Sequence, residues 1–308
     1  MDILDKLVSL AQIKGRVDVQ CRFQENWYVR QEPVQTQGQV HIVAEGEGYL
    51  KVDGCDARLL KAGDVVLFPR VAGHIISSSV ACDNTCDVPE IVQNGVFTLK
   101  KSGSAGKGMD LFCARFDYDA QADLIKSLPE TVYLKVEHPS LRALISMLEY
   151  EAQRKEEGAE TVVNALFSVL LVLLMRVYLE QGNREVLAGT LNGWQDYRLR
   201  GVVQAVLASP EYTWSVGDMA AAANMSRAQL MRLFKQQIGV SPHVFVSRIR
   251  LQQAALLLKN TADSVLSVGL SVGFRSETHF GKAFKKQYGM SPGQYRKNGK
   301  ADLASAPE

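Results

Sequence analysis

Two stretches, SRAQLMRLFKQQIGVSP (Ser226–Pro242) and SETHFGKAFKKQYGMSP (Ser276–Pro292), carry one pattern at an offset of 50 residues. Ser226, Phe234, Lys235, Gln237, Gly239, Ser241 and Pro242 recur as Ser276, Phe284, Lys285, Gln287, Gly289, Ser291 and Pro292, with Leu230 matched by Phe280 and Arg232 by Lys282. The match needs no gap, so it marks an internal repeat. Each copy opens on a serine able to N-cap a helix. Leu230, Leu233 and Phe234 then form a buried stripe, as do Phe280, Ala283 and Phe284. Gly239 and Gly289 suit the left-handed residue that stops a helix. Short helices are predicted just upstream, over Ser215–Ala223 and Asp263–Ser271, with Asn224 and Gly273 near the turns. Helix, short turn, capped helix is the helix-turn-helix pattern, whose second helix enters the major groove. Pro242 to Lys259 reads as one continuous helix; at about 1.5 Å per residue it spans on the order of 27 Å. That length can hold two reading heads about one DNA turn, roughly 34 Å, apart.

Charge follows the same division. Trp194–Lys300 holds 15 Lys/Arg and 5 Asp/Glu, a net of +10, whereas Met1–Gly193 holds 20 and 26, a net of −6. A basic module joined to an acidic one points to a polyanion binder under the control of a second domain. The remainder is ordinary for a globular chain, at 46% hydrophobic and 22% charged. The start shows no Lys/Arg cluster followed by an apolar run, so no signal peptide is expected and the expected location is the cytoplasm. The apolar stretch within Val162–Met175 is shorter than a membrane span and contains Asn164, so no membrane insertion is expected. The five cysteines then read as reduced thiols or metal ligands rather than a disulfide framework.

Residues 1–12 read as a short amphipathic helix. From Gly15 to about Asp117, short β-branched and aromatic runs alternate with turn residues: Val17–Phe23, Val40–Glu45, Gly48–Val52, Asp64–Phe68, His74–Ser77 and Met109–Phe116. These predict an all-β barrel or sandwich. Residues 79–108, rich in Asp, Asn, Gly, Ser and Lys, read as long hairpin loops. Leu141, Leu144, Ile145, Leu148 and Ala152 keep helical spacing, and a second helix runs from about Thr161 to Glu180. The centre of that second helix is apolar nearly all round, which predicts burial on several sides, as in a homodimer interface. The expected divisions are a sensor barrel over 1–118, a helical dimerisation segment over 119–182, a linker over 183–193, the DNA-binding domain over 194–300 and a tail over 301–308.

The run SRAQLMRLFKQQIGVSPHVFVSRIRLQQAALLL, followed by SVLSVGLSVGFRSETHFGKAFKKQYGMSPGQYR, resembles the AraC/XylS DNA-binding domain across Trp194–Lys297. The resemblance implies that the outward faces of the two recognition helices read bases. The matching positions are Ala228, Met231 and Arg232 in the first helix, and Glu277, Thr278, Gly281 and Lys282 in the second. Arg232 can pair bidentately with guanine and Glu277 can accept from cytosine. Ala228, Met231 and Gly281 are shorter or less polar than the residues many relatives use, and with Gly281 in its reading face the second head is expected to anchor more than it reads. Lys235, Arg248, Arg250, Lys285, Lys286 and Arg296 are assigned to phosphates, which fix register rather than sequence. The alternative for each basic residue alone is a solvated helix face.

Upstream, AEGEGYLKVDG and LLKAGDVVLFPRVAGHI resemble the cupin barrel of AraC-type regulators, with Gly63, Asp64, Pro69, Gly73 and His74 matching its second motif. The first motif departs: His-x-His and the following Glu are missing, and only His41 lies nearby. The fold class expected is therefore α+β multidomain, a cupin-like barrel with a helical dimerisation segment and an all-α domain with two helix-turn-helix motifs. Cys21, His41, His74 and Cys113 stand on four separate predicted strands. A Cys2His2 set suits tetrahedral zinc, or another thiophilic metal. Cys21 shares strand parity with Val17, Val19 and Phe23, which predicts an inward side chain. The other reading of these four is small buried hydrophobes and satisfied core histidines. Cys55, Cys82 and Cys86 fall in turns or loops.

Within the AraC/XylS family the chain resembles cupin-containing activators of multidrug efflux operons, a function in antimicrobial resistance, and more distantly sensors of reactive chlorine. The first resemblance implies a hydrophobic or amphipathic inducer, the second oxidation of Cys21 and Cys113. Together they imply a regulator rather than an enzyme, most often an activator, with promoter DNA and RNA polymerase as partners. The competing classes are a cupin metalloenzyme with an accessory DNA-binding tail, and a metal-storage protein. The first lacks its motif ligands; the second leaves the repeat unexplained.

Overall fold

The computed structural model describes residues 2–304 apart from 33–36, 71, 82–88, 105–107, 136–138, 155 and 181–186. Cys82 and Cys86 therefore lie outside the described residues. The chain divides into two compact units. One comprises Ile13–Tyr118 and Leu128–Asn183; the other comprises Met1–Gln12, Asp119–Ser127 and Arg184–Glu308. This differs from the expected divisions, because residues 1–12 and 119–127 pack with the C-terminal helices rather than with the barrel.

In chain order the first helix is α1 (Ile3–Ala11). Among the described residues nine strands follow: β1 (Lys14–Gln24), β2 (Tyr28–Gln31), β3 (Gln37–Val52), β4 (Arg58–Lys61), β5 (Asp64–Phe68), β6 (His74–Ser77), β7 (Glu90–Asn94), β8 (Phe97–Ser102) and β9 (Gly108–Asp117). Then come α2 (Asp123–Lys126), β10 (Val132–Lys135), α3 (Pro139–Arg154) and α4 (Ala159–Glu180). The strands form one curled sheet in the order β10-β5-β3-β9-β1-β8-β7, with β4 and β6 on the far half of β3 and β2 on β6. Strand β3 is long because it serves both halves. Its start pairs with β5 and β9, and its end pairs with β4 and β6. A register shift between Val43 and Glu45 makes the corner. Gly46 follows at φ 76°, where an added Cβ would lie 1.9 Å from the Gly108 carbonyl oxygen. Only glycine permits both that conformation and that approach.

The barrel interior is filled by Phe23, Trp27, Val43, Leu50, Leu60, Val66, Phe68, Ile76, Met109 and Leu111. Phe23 stacks on Trp27 at 4.8 Å. Residues 90–102, expected to be loop, form the β7–β8 hairpin, and β8 runs parallel to β1. A register shift between Val17 and Val19 puts Val17 on the opposite face from Cys21, so the expected common parity ends at Val19.

Helix α4 has 22 residues, longer than the apolar run read from sequence. By length and composition alone it could cross a membrane. It instead buries Val163, Leu166, Phe167, Leu170, Leu171, Leu174 and Tyr178, and Phe167 fills the space above Gly15 on β1. Burial is one-sided: Val162 and Val169 remain 37% and 50% exposed.

The other unit continues with α5 (Gly189–Gln195), α6 (Arg200–Ala208), α7 (Val216–Ala222), α8 (Arg227–Gln237), α9 (Pro242–Asn260), α10 (Val265–Ser271), α11 (Glu277–Tyr288) and α12 (Pro292–Ala304). Helix α5 occupies part of the expected linker, and α12 runs into the expected tail. Helix α1 joins this unit through buried Leu4, Leu7, Leu10 and Ala11, and its Lys6 Nζ donates to Gln253 Oε1 at 2.6 Å.

Candidate nucleic-acid interface and sensor site

Both recognition helices begin as their sequences require. Ser226 Oγ accepts from Gln229 N while Gln229 Oε1 accepts from Ser226 N, a reciprocal cap. Ser276 Oγ accepts from His279 N. Leu230, Leu233 and Phe234 are buried on α8, as are Phe280 and Phe284 on α11. Gly239 and Gly289 both have positive φ, 85° and 76°. Helix α9 begins with Pro242 at its first turn and has 19 residues, on the order of 28 Å at about 1.5 Å each.

The two heads are not identical. Their recognition helices repeat at 50 residues, but the preceding helices, capped by Ser215 and Ser264, repeat at 49. The left-handed residues Asn224 (φ 51°) and Gly273 (φ 94°) also repeat at 49. One extra residue therefore lies in the second turn.

The base-reading candidates Ala228, Met231, Arg232, Glu277, Thr278 and Lys282 are exposed, and Gly281 is half-exposed with open space where a Cβ would stand. Among the phosphate candidates, Lys235, Lys285 and Lys286 are exposed. Two others do not fit that role. Arg250 donates from Nε to the Pro210 carbonyl at 2.7 Å, from Nη1 to Gly273 at 3.0 Å and from Nη2 to Tyr212 at 2.8 Å. Its fork is committed to pinning two loops. Arg296 is half-buried and donates from Nε to the Leu258 carbonyl at 3.1 Å. Arg248 is also half-buried, close enough for its charge to favour the ionised Asp123 carboxylate.

In the barrel, β3 pairs with β9 so that His41 faces Cys113 directly. On β1 and β9, Cys21 faces Leu111 and Val19 faces Cys113, which makes the two cysteines diagonal neighbours. His41 Nδ1 lies 3.1 Å from Cys113 Sγ, and His41 Nε2 lies 2.8 Å from His74 Nε2. His74 Nδ1 lies 2.9 Å from the Ala72 carbonyl oxygen. A carbonyl only accepts, so the neutral His74 ring carries its proton on Nδ1 and accepts at Nε2. His41 must then donate from Nε2 and accept at Nδ1, leaving Cys113 as the donor to His41. His74 is held below the ordinary histidine range, first by burial, which supports its neutral form. Its ring stacks on Phe68 at 4.2 Å. The adjoining Cys21 thiol and burial push the Cys113 thiol well up, so its sulfur keeps the proton it gives to His41.

The four sequence-predicted residues are thus brought together, but as a line rather than a cage. His41 turns one nitrogen to Cys113 and the other to His74, whereas a tetrahedral ion takes a single nitrogen from each histidine. Among the described residues no group of three or more His, Cys, Asp or Glu side chains is placed to hold a metal ion. As arranged, the set does not fit zinc. Among the described cysteines, Cys21, Cys55 and Cys113 are free thiols, and Cys55 is exposed on a turn. Outside the barrel wall a cavity of about 780 Å³ is lined by Ala44, Glu45, Lys135, Arg142, Ile145 and Glu149 among others. Its four charged side chains suit a polar occupant.

Comparison with known proteins agrees with this architecture. Residues 2–180 match the cupin family model, and residues 219–298 match the helix-turn-helix domain model. The chain is 57% identical over 300 residues to the HTH-type transcriptional regulator MtrA of Neisseria gonorrhoeae, covering 97% of this chain and 99% of that protein. It is 37% identical to an HTH-type transcriptional regulator of Haemophilus influenzae, with coverage of 97% and 99%. It is 29% identical to the RCS-specific HTH-type transcriptional activator RclR of Escherichia coli, over 96% and 97%. The chain belongs to the AraC-type family of HTH transcriptional regulators, in the group with an N-terminal cupin domain, and is a DNA-binding regulator of transcription.

Proposed function

We propose that this chain binds promoter DNA as a homodimer, activates transcription with RNA polymerase, and responds to chemical change at the line Cys21–Cys113–His41–His74. The observation that carries the sensing role is His41, which bridges a thiol and a second imidazole inside an otherwise apolar barrel. A two-electron oxidant such as hypochlorous acid supplies the change. The Cys113 sulfur gives an electron pair to chlorine, Cys21 sulfur displaces chloride, and two thiols become a disulfide with release of water, chloride and a proton. Losing the thiol proton removes the donor to His41 and breaks the line at its centre. A hydrophobic inducer finds less support, since four of the nine residues lining the cavity outside the barrel are charged.

The dimer reading draws on exposed apolar side chains of the two helices, Met147 and Tyr150 on α3 and Val162 and Val169 on α4. Activation agrees with the E. coli relative, itself a transcriptional activator, and an efflux operon remains the target class expected from the resemblance. The test measures occupancy of a wild-type-selected duplex before and after equimolar hypochlorous acid in a Cys55→Ser chain, so that the exposed thiol does not consume the oxidant, and in that chain with Cys113→Ser or His41→Gln added. Occupancy should change only in the chain that keeps both Cys113 and His41, with loss of two hydrogens by mass. An equal response in all three overturns the sensing role, and stoichiometric zinc in the purified chain overturns the metal-free arrangement.

A further inference from the structure

The 50-residue repeat breaks its symmetry at two apolar positions. Where the first head has Ile238 and Phe245, the second has Tyr288 and Tyr295. Ile238 and Phe245 are buried, and Phe245 packs on Phe234 at 5.5 Å. Tyr288 and Tyr295 keep the same packing: Tyr288 stacks on Phe284 at 4.4 Å and Tyr295 meets it edge-on at 5.4 Å. What the second copy adds is two hydroxyls, and both go to one carboxylate. Tyr295 Oη donates to Asp119 Oδ2 at 2.6 Å and Tyr288 Oη donates to Oδ1 at 3.3 Å.

Asp119 is only 4% exposed and lies far from the repeat in sequence. Gln121 N also donates to its Oδ1 at 2.8 Å, and Gln12 Nε2 donates to its Oδ2 at 3.3 Å. Its backbone N donates to Ala11 O at 2.8 Å, and its carbonyl accepts from Ala122 N at 2.8 Å. A buried carboxylate needs its lone pairs filled, and here four donors fill them. Burial beside this carboxylate keeps the Tyr288 hydroxyl protonated, as a donor. Tyr288 ends α11, the recognition helix itself. Along the chain Asp119 comes two residues after β9, the strand that carries Cys113.

We infer that Asp119 is a positioning residue for the second reading head, fixing α11 through Tyr288 and α12 through Tyr295. The first head has no such attachment at the equivalent apolar positions. Charge-assisted bonds of this kind are the strong ones, and losing them lets α11 shift against its own core.

The test uses the full chain on a duplex selected by the wild-type protein from a random pool, together with two derivatives truncated to remove either half-site. Asp119→Ala should weaken binding to the intact duplex about tenfold. Binding to the duplex that lacks the second half should stay within about twofold, because that duplex offers the second head neither bases nor phosphates. Tyr295→Phe removes one hydroxyl and restores the first head's residue, so it keeps the test valid if Asp119→Ala does not fold. It should show a smaller loss with the same selectivity. Equal loss on all three duplexes in Tyr295→Phe, loss confined to the first half, or no loss at all overturns the inference.

Discussion

Arg250 Nη1 donates to the Gly273 carbonyl oxygen at 3.0 Å, tying the central helix α9 to the left-handed residue of the second turn. Its other two hydrogen bonds hold Pro210 and Tyr212. Arg250→Ala should therefore destabilise the DNA-binding unit by about 2–3 kcal/mol, since three bonds from a half-exposed charged group disappear together. The slope of log affinity against log salt should not change. A slope that falls by about 0.9 would show that Arg250 does touch phosphate.

The exposed lysines should behave in the opposite way. Lys285→Ala and Lys286→Ala should each leave thermal stability nearly unchanged and reduce the salt slope by about 0.9. Arg232→Ala should cost about 1–3 kcal/mol of binding and relax preference at one base pair. A uniform loss on every sequence would reassign Arg232 to the DNA backbone.

These contrasts mark what could be read from the residues alone. The two heads were legible because capping serines, buried stripes and terminal glycines are local signals, and the repeat states them twice. That Cys21, His41, His74 and Cys113 stand on separate strands of one barrel is legible too, but not that they gather, because strand parity leaves the facing of His41 and Cys113 open. Their geometry was not legible either. It depends on which nitrogen of His41 faces Cys113, a matter of register between β3 and β9 that no local pattern encodes. Arg250 and Arg296 look like phosphate ligands in sequence because a guanidinium pinning carbonyls has the same composition as one facing DNA. Asp119 and Asp123 carry no local signal because their partners lie far away along the chain: Tyr288, Tyr295 and Thr190. The hint available was the tyrosine pair breaking the repeat.

Asp123 gives a pH test. It is buried, and Thr190 Oγ1 donates to its Oδ2 at 2.9 Å. Burial raises its carboxyl above the ordinary range, with the Thr190 bond and the Arg248 charge acting against that. The folded chain therefore takes this proton more readily than the unfolded chain, whose aspartates ionise near about pH 3.9. The group's contribution to stability is full below that pH and is lost as pH rises through the folded value. Asp123→Asn keeps an oxygen for Thr190 without the charge. Its Tm should exceed that of the wild-type chain at pH 7.5 and converge with it near pH 4. A gap that widens in acid would reverse the sign.

Thiol reactivity should separate the described cysteines. Cys55 is exposed, Cys21 is 3% exposed, and the Cys113 thiol is pushed up in pKa. Since the thiolate is the reacting form, iodoacetamide at pH 7.5 should label Cys55 at least about tenfold faster than Cys21 or Cys113. Peptide mass spectrometry after timed quenching reads this. Comparable rates at all three would contradict the enclosed thiol line.

One chain carries two reading heads on helix α9, and hydroxyl-radical footprinting on a wild-type-selected duplex tests this most directly. Each subunit should protect two segments about one helical turn apart, roughly 10–10.5 base pairs, with Arg232→Ala losing protection in one segment only. A single protected segment per subunit, or protection without sequence preference, would contradict it.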